Sequence, residues 1–328
     1  MSSDTEYIFQ VNNLKKWFPF RSGLLSSFSR TKEYVKAVDN ITFEVKEGEV
    51  VCLVGESGSG KTTAARLMLR LEDVTEGYIL FRGTDITNLK QSDVRKLRKD
   101  MQIVFQNPYE SLDPRMTIFE IVSEPLKVLK ICPGAEIMER VSKALEDVGL
   151  TPALEFSLRF PHELSGGQRQ RVSIARALIV EPEFIVADEP ASMLDANTRI
   201  EILNLLEDLQ EEYKMGILFI THDLAQARYL GDTLIILYLG KIIEKGDIDL
   251  VIKSPHHPYT KALISNVPVP DPDAKRTRLE IEGEIPTAVR LPSGCRFSPR
   301  CPFVFDKCRE EEPDLLMKHG RFSACWLD

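Results

Sequence analysis

The sequence predicts an α/β fold with a mostly parallel sheet, followed by a small irregular extension at the C-terminus. Short apolar runs rich in Val and Ile alternate with helical patterns, which is typical of buried strands joined by helices. Prolines interrupt every long periodicity after about Ser254, so a separate appendage is expected there. The predicted strands are Val50–Val54, Phe184–Ala187, Leu218–Ile220 and Leu234–Leu239, and the predicted helices are Thr62–Leu71, Ile137–Val148, Gly167–Ile179 and Thr198–Tyr213.

The same pattern divides the chain into two predicted domains. We expect the sheet domain at residues 1–252 and the extension at residues 253–328. Within the first domain, residues from about 107 to 180 carry helical patterns and no strong strand, which predicts a helical insertion. The polar stretch Arg21–Lys36, rich in Ser and basic residues, predicts a surface loop.

Composition argues against several classes of protein. The chain has 328 residues and a formal net charge of −8, so counterion-driven binding to nucleic acid is not expected. No run approaches the roughly 18 apolar residues that a membrane-spanning helix needs. The start of the chain, Met1–Glu6, is polar and acidic where an export signal is basic and then apolar. We therefore expect a cytoplasmic protein.

A glycine-rich loop follows the first buried strand and precedes a helix, and it matches the pattern GxxxxGK[ST]. Glycines let backbone N–H groups surround a phosphate, and the following helix points its positive end at the anion. We expect Lys61 to reach the β- and γ-phosphates of ATP and the Thr62 hydroxyl to bind Mg²⁺, the alternative being a chance turn. The candidate phosphate-binding residues are Gly55, Glu56, Ser57, Gly58, Ser59, Gly60, Lys61, Thr62 and Thr63.

Two carboxylates, Asp188 and Glu189, follow the strand Phe184–Ala187. In open α/β sheets, ligands bind beyond the carboxyl ends of the strands. We expect Asp188 to hold Mg²⁺, directly or through water, and Glu189 to orient and polarise the attacking water. The alternative is a pair of acidic residues that only cap the next helix.

The pentapeptide Leu164-Ser165-Gly166-Gly167-Gln168 opens a helix shortly before the acidic strand. A hydroxyl and backbone N–H groups at a helix N-terminus form a second anion site, although a simple capping turn is the alternative. The pentapeptide resembles the signature motif of ABC ATPases. This resemblance implies a P-loop NTPase core of the RecA-like type with a helical signature subdomain, and it implies that residues 165–168 bind nucleotide.

Further elements resemble the ABC pattern and occur in the family's order. Gln106 matches the glutamine that senses Mg²⁺, and His222 in Thr221-His222-Asp223 matches the switch histidine that contacts the γ-phosphate. Asp195 ends Ser192-Met-Leu-Asp195, which resembles the loop that joins the two ATP sites. Met193 stands where family members usually carry Ala, and this departure weakens the expectation of communication between sites.

The resemblance also implies an aromatic residue that stacks on adenine. Trp17 is the first choice and Phe18 the alternative, while either ring could instead pack the N-terminal strand. In ABC ATPases each ATP lies between the phosphate loop of one subunit and the signature of another. The resemblance therefore implies a second ATPase subunit and a dimer that closes on ATP and opens after hydrolysis.

Three longer segments narrow the resemblance to the importers of oligopeptides and dipeptides. They are Gln106–Thr117, Gly240–Gly246 and His256–Thr260. The resemblance implies a heterodimer of ATPases under two permease subunits, fed by an extracytoplasmic solute-binding protein, at the cytoplasmic face of the cell membrane. Peptides are the favoured solute, and oligosaccharides or nickel are the alternatives because some relatives carry them.

Four cysteines crowd the end of the chain, with spacings that allow one tetrahedral Zn²⁺ or an iron–sulfur cluster. No tight CxxC pair is present, which makes a zinc site less favoured. The resemblance points to a [4Fe–4S] cluster. We expect that cluster, shielded by Phe297, Phe303 and Phe305, with zinc or free thiols as alternatives. The four candidate ligands are Cys295, Cys301, Cys308 and Cys325.

Two other functions compete with the importer. One is a soluble ABC ATPase that acts on nucleic acid or ribosomes, but such proteins usually carry two cassettes or long coiled-coil insertions, and this chain has one copy of each motif. The other is a regulator that binds ATP without hydrolysing it. Substitution of Glu189 separates this second alternative from an enzyme.

Overall fold

The computed structural model describes residues 7–20, 33–267, 279, 281, 283, 286, 288–289 and 291–327. These residues form two compact units. The first contains Asn88–Ile220, Val45–Val50 and the described end of Met1–Ile8. The second contains Val51–Thr87 and the described parts of Phe9–Glu44 and Thr221–Asp328. No helix in the described residues is long and apolar enough to cross a membrane.

The predicted α/β fold is confirmed. The strands are β1 Tyr7–Phe20, β2 Glu33–Lys46, β3 Val50–Val54, β4 Glu76–Phe81, β5 Thr84–Asp85, β6 Met101–Val104, β7 Phe184–Asp188, β8 Gly216–Thr221, β9 Thr233–Tyr238, β10 Lys241–Asp247, β11 Leu316–Lys318 and β12 Arg321–Ser323. The helices are α1 Lys61–Met68, α2 Gln91–Leu97, α3 Pro108–Ser111, α4 Ile118–Leu129, α5 Ile137–Asp147, α6 Ala153–Leu158, α7 Gly166–Leu178, α8 Ala196–Tyr213, α9 Leu224–Leu230, α10 Ile248–Lys253, α11 Pro258–Ser265 and α12 Asp306–Glu310.

The first unit is built on three parallel strands, with β7 paired to β6 on one side and to β8 on the other. Every residue of β7 and β8 is buried, which explains why both read as continuous apolar runs. Helices α3 to α7 follow one another between β6 and β7 without an intervening strand, in the region expected to be a helical insertion. A capping box of Thr117 and Glu120 begins α4.

The second unit combines a parallel pair with antiparallel strands. Strand β3 pairs with β9 in parallel, β9 pairs with β10, and β10 pairs with β12 from the C-terminal extension. A second sheet has the strand order β2, β1, β4, β5. Because β11 and β12 extend the β9–β10 ladder, the residues after 252 share a unit with the phosphate loop. The predicted boundary at residue 252 stays a prediction.

The ends of the predicted elements shift for local reasons. Helix α1 ends at Met68 rather than Leu71, and Arg70 lies just beyond it at a left-handed φ of 51°. Helix α8 begins at Ala196, earlier than expected, because the Asp195 side chain caps it. The prediction of a surface loop at Arg21–Lys36 was wrong at its C-terminal end, because β2 begins at Glu33. Residues 21–32 lie outside the described part of the chain.

A buried polar cluster anchors the start of the extension within the second unit. The Glu244 carboxylate is fully buried and accepts the backbone N–H groups of His256 and His257 at 2.8 and 2.9 Å. The His257 ring caps α11 by accepting the N–H of Tyr259 at 3.1 Å. Burial lowers the pKa of His257 to about 3, so its imidazole is neutral in the folded protein.

Candidate functional site

The phosphate loop lies in the second unit between β3 and α1, as predicted. Gly60 has φ of 107°, a conformation that favours glycine, and a Cβ on it would meet the Ala37 carbonyl oxygen at 2.1 Å. A Cβ on Gly55 would meet the Leu237 carbonyl oxygen at 2.2 Å. These two positions therefore admit no side chain, and the loop keeps a tight backbone curve that can surround an anion.

Lys61 begins α1 and lies over the loop. Its ammonium donates to the carbonyl oxygens of Gly55 at 2.7 Å and Glu56 at 3.0 Å. The Ser59 hydroxyl is buried and makes no hydrogen bond with any described residue. A buried hydroxyl beside a buried ammonium, at the start of a helix, fits a phosphate group. Ser57, Gly58 and Thr62 of this loop are exposed.

Trp17 lies in β1 and is held by Asp39. Its indole N–H donates to the Asp39 carboxylate at 3.1 Å, and Lys36 lies 4.8 Å from the centre of its ring. Phe18 follows it with Lys16 at 4.9 Å from the ring centre. Both aromatic side chains are partly exposed, so the choice of Trp17 over Phe18 for adenine stacking stays a prediction.

The acidic pair lies at the carboxyl end of β7 in the first unit. Asp188 is buried, while Glu189 is partly exposed and has a left-handed φ of 47°. The Gln106 amide donates to the Glu189 carboxylate at 3.0 Å and lies 3.4 Å from the Ser192 hydroxyl. Sequence reasoning named Gln106 and Glu189 from motifs 83 residues apart, and the structure brings them into contact.

The signature segment forms a capping box at the start of α7. The Gln168 N–H donates to the Ser165 hydroxyl at 3.2 Å, and the Ser165 N–H donates to the Gln168 side chain at 3.0 Å. A Cβ on Gly167 would lie 2.4 Å from the Thr198 methyl group, whereas Gly166 has more room. Gly167 is thus required by packing against α8, and the capping geometry leaves the nucleotide role of these residues a prediction.

Asp195 and His222 occupy the ends of two further elements. Asp195 accepts the hydroxyl of Thr198 at 2.7 Å and its backbone N–H at 3.1 Å. The Thr198 hydroxyl is the largest cause that lowers the pKa of Asp195, so the carboxylate is charged at neutral pH. His222 is exposed directly after β8. The roles of Asp195 and His222 toward nucleotide stay predictions.

Sequence reasoning missed three residues that contact the phosphate-loop region within the second unit. Arg300 binds the Glu56 carboxylate with both ends of its guanidinium, and Tyr259 accepts the Glu56 N–H at 3.1 Å. Arg296 binds Asp39, the partner of Trp17. No local pattern signals these pairs, although Arg296 and Arg300 lie between two of the four clustered cysteines.

The four cysteines of the extension are close enough to influence one another. Burial is the largest cause that raises the pKa of Cys295, to about 12, and the other three thiols add to it. The sulfurs of Cys295, Cys301 and Cys325 each accept a backbone N–H from the residue two positions later. Burial outweighs these bonds, so the pKa of each of the three thiols is raised. Four thiols within electrostatic reach of one another are nevertheless a donor set that suits Zn²⁺ or an iron–sulfur cluster.

The expected metal site is nevertheless not confirmed. Among the described residues, no group of three or more His, Cys, Asp or Glu is arranged to hold a metal ion. The expected aromatic shield was wrong in part, because Phe297 is buried but Phe303 and Phe305 are 48% and 42% exposed. Cys52 lies outside this cluster and is fully buried in β3.

Two family profiles match the chain. Residues 38–192 match the ABC transporter family, and residues 243–308 match the oligopeptide/dipeptide transporter C-terminal region. The chain is 44% identical over 322 residues to a probable peptide ABC transporter ATP-binding protein of Sinorhizobium fredii, covering 98% of this chain and 90% of the relative. It is 45% identical over 330 residues to the oligopeptide transport ATP-binding protein AppF of Bacillus subtilis, covering 99% of each.

Two solved structures of ABC proteins are similar to the structure of this chain. A dimeric post-hydrolysis state of the ATP-binding cassette MJ0796 bound to ADP and Pi has a TM-score of 0.63 at 32% identity, over 73% of this chain and 98% of the cassette. The protein cbiO1 of Clostridium perfringens, part of an ABC transporter complex, has a TM-score of 0.65 at 29% identity, over 76% of this chain and 92% of cbiO1.

Proposed function

Because this chain belongs to the ABC transporter ATP-binding family, we propose that it is the ATP-hydrolysing motor of a peptide importer. The observation that carries this proposal is the Glu189 carboxylate at the end of β7, which accepts a hydrogen bond from the Gln106 amide at 3.0 Å. A general base needs a fixed position within reach of its water, and this pair supplies one. The match of residues 243–308 to the oligopeptide/dipeptide extension supports peptides as the solute.

Each candidate residue has a separate role in the proposed hydrolysis of ATP. The backbone of the loop from Gly55 to Thr63 binds the phosphates, and Lys61 neutralises charge that develops on them during transfer. Glu189 orients the attacking water, and His222 contacts the γ-phosphate. The residues that would hold Mg²⁺ are Thr62, Asp188 and Gln106, and the ion would supply positive charge that stabilises the phosphate oxygens during transfer.

Two subunits share each ATP in the proposed assembly. The nucleotide lies between the phosphate loop of one ATPase and the Ser165–Gln168 turn and Asp195 of the other, with Trp17 on the adenine. The dimeric MJ0796 cassette with ADP and Pi is a precedent for association of two such subunits. Closure on ATP and opening after hydrolysis then drive the membrane partner.

The proposed partners are a second, non-identical ATPase, two permease subunits and an extracytoplasmic solute-binding protein. The chain then works at the cytoplasmic face of the cell membrane, attached through the permeases. The cassette is proposed at residues 1–252 and the extension at residues 253–328. Because the binding protein selects the solute, oligosaccharides or nickel remain the alternative cargo for the same motor.

Affinity purification from membranes tests this assignment. We expect the tagged chain to bring down two permeases and a second ATPase, and peptides to stimulate ATP hydrolysis after reconstitution with the binding protein. Association with RNA or ribosomes that is lost in high salt, with no permease, would instead support the soluble ATPase. Stimulation by oligosaccharide or nickel alone would reject the peptide assignment and keep the motor.

We also propose that Cys295, Cys301, Cys308 and Cys325 hold a structural [4Fe–4S] cluster. The support is the set of N–H bonds to three of the sulfurs, together with the mutual influence of the four thiols. Anaerobic purification should yield about four iron and four acid-labile sulfide per chain. Cys308→Ser should lose both, whereas Cys132→Ser should keep them. Zinc alone at full occupancy would refute the cluster.

A further inference from the structure

Two arginines of the extension reach the elements around the phosphate loop. Arg296 and Arg300 lie between Cys295 and Cys301, and their side chains are only 7% and 10% exposed. Cationic side chains are rarely buried without a specific partner, because removal from water costs more than a poor contact returns. Their partners therefore indicate what these arginines do.

Arg300 binds Glu56, the second residue of the phosphate loop. The two terminal nitrogens of its guanidinium donate to the two carboxylate oxygens at 2.9 and 3.1 Å, a forked geometry that fixes both side chains. The backbone of Glu56 is also fixed, since its carbonyl oxygen accepts the Lys61 ammonium at 3.0 Å. A change at Arg300 therefore acts on Lys61 through one intervening residue.

The Arg300 pair also has an electrostatic consequence. Glu56 places a carboxylate in a loop that binds a polyanion, and like charges in one site repel each other. Arg300 neutralises this carboxylate and holds it at the extension. Without the guanidinium, the same negative charge would be left beside the phosphates.

Arg296 binds groups that lead to Trp17 and to the backbone of the phosphate loop. It donates to the Asp39 carboxylate and to the Leu239 carbonyl oxygen. Asp39 in turn accepts the indole N–H of Trp17, so the carboxylate joins the arginine to the aromatic ring. Leu239 precedes Gly240, whose N–H donates to a carbonyl oxygen of the phosphate loop at 2.8 Å.

We infer that the segment Cys295–Cys301 is a positioning element of the nucleotide site. Arg300 holds the phosphate side through Glu56, and Arg296 holds the adenine side through Asp39 and Trp17. Both arginines act through the carboxylates that they bind, so we assign them as positioning residues. The inference rests on the proposed ATP site and assigns the extension a direct part in nucleotide affinity.

A double-mutant cycle tests the phosphate side. In the full chain, Arg300→Gln should raise the Kd for a fluorescent ATP analogue and the KM for ATP about tenfold, with kcat changed less than about threefold. Addition of Glu56→Gln should recover only the part of the loss that comes from the uncompensated charge and leave Kd above that of wild type, because the fork that fixes the loop is still missing. Arg300→Lys should fall between, since it keeps the charge but not the fork.

A matched control separates positioning from loss of stability. Arg321 is another buried arginine of the extension, and it binds the Leu250 carbonyl and the Ser254 hydroxyl. Arg321→Gln should lower the melting temperature as Arg300→Gln does and leave the Kd for the analogue unchanged. Equal effects of both variants on Kd would overturn the inference.

Tryptophan fluorescence tests the adenine side. The chain has two tryptophans, so Trp326→Phe leaves Trp17 as the reporter. Arg296→Gln in that background should shift the emission of Trp17 and raise about tenfold the ATP concentration that quenches it by half. Wild-type emission and quenching in the variant would overturn the inference. Absence of ATP binding by the wild-type chain would instead reject the proposed function.

Discussion

Replacement of Glu189 by Gln should slow turnover by orders of magnitude without disturbing the fold. The Glu189 carboxylate accepts a hydrogen bond from the Gln106 amide at 3.0 Å, and a glutamine oxygen at the same place can accept that bond too. The residue has a left-handed φ of 47°, which glutamic acid and glutamine tolerate equally. The substitution therefore removes one charge and its basicity and keeps both the hydrogen bond from Gln106 and the backbone conformation.

The expected magnitudes differ widely between chemistry and stability. Loss of a positioned general base slows proton transfer about 10² to 10⁴-fold, which is about 2.7 to 5.5 kcal/mol of activation free energy. A hydrogen bond to a neutral rather than a charged acceptor is weaker by about 1 kcal/mol when buried, and Gln106 is exposed, so the loss is smaller here. The melting temperature should change by less than about 2 °C.

Phosphate release measures the effect, and a fluorescent ATP analogue measures binding. We expect Glu189→Gln to bind the analogue as wild type does, to turn over at least 100-fold more slowly, and to accumulate an ATP-bound dimer with its partner ATPase. Ser192→Ala is the matched control, because Ser192 contacts the same amide at 3.4 Å and carries no base. Turnover of Glu189→Gln within tenfold of wild type would refute the assignment of Glu189.

Three further predictions concern stability. Burial lowers the pKa of His257 to about 3, whereas the unfolded imidazole titrates near 6.5, so the free energy of unfolding should fall by about 2 kcal/mol from pH 7 to pH 5. Urea unfolding at the two pH values measures this fall, and His257→Asn should lose it. Gly167→Ala should lower the free energy of unfolding by about 1 to 3 kcal/mol, because the added methyl clashes with the Thr198 methyl. Addition of Thr198→Ser to this variant should restore the melting temperature, and a melting temperature that stays low would contradict the clash. Tyr213→Phe removes a 2.8 Å bond to Asp147 and should cost about 1 kcal/mol; an unchanged denaturation midpoint would contradict this.

The buried parallel strands could be predicted because their environment leaves a strong pattern. Every residue of β3, β7 and β8 is buried, so each appears as an unbroken apolar run. Strands β1 and β2 face solvent on one side and mix charged with apolar residues, which hides them in a single sequence. The antiparallel strands β11 and β12 are three residues each and leave no signal.

Some residues of the candidate site could likewise be predicted from the sequence, and others could not. The phosphate loop and the carboxylate after β7 need fixed residue types at fixed spacing, so sequence reveals them. Arg300 lies 244 residues from Glu56, and a pair at that separation has no periodic signature. The capping box at Ser165 could be predicted from its spacing, but the clash that requires Gly167 depends on where α8 passes.

Strand β12 has a consequence for shortened versions of this chain. It covers the free edge of β10 through Glu244↔Ser323 and Lys245↔Phe322. Truncation after α10 would expose a row of unpaired amide groups next to the buried apolar residues Ile242 and Ile243. A fragment cut to the length of a bare cassette should self-associate at this edge, so its insolubility would report an uncovered strand rather than a failed nucleotide site.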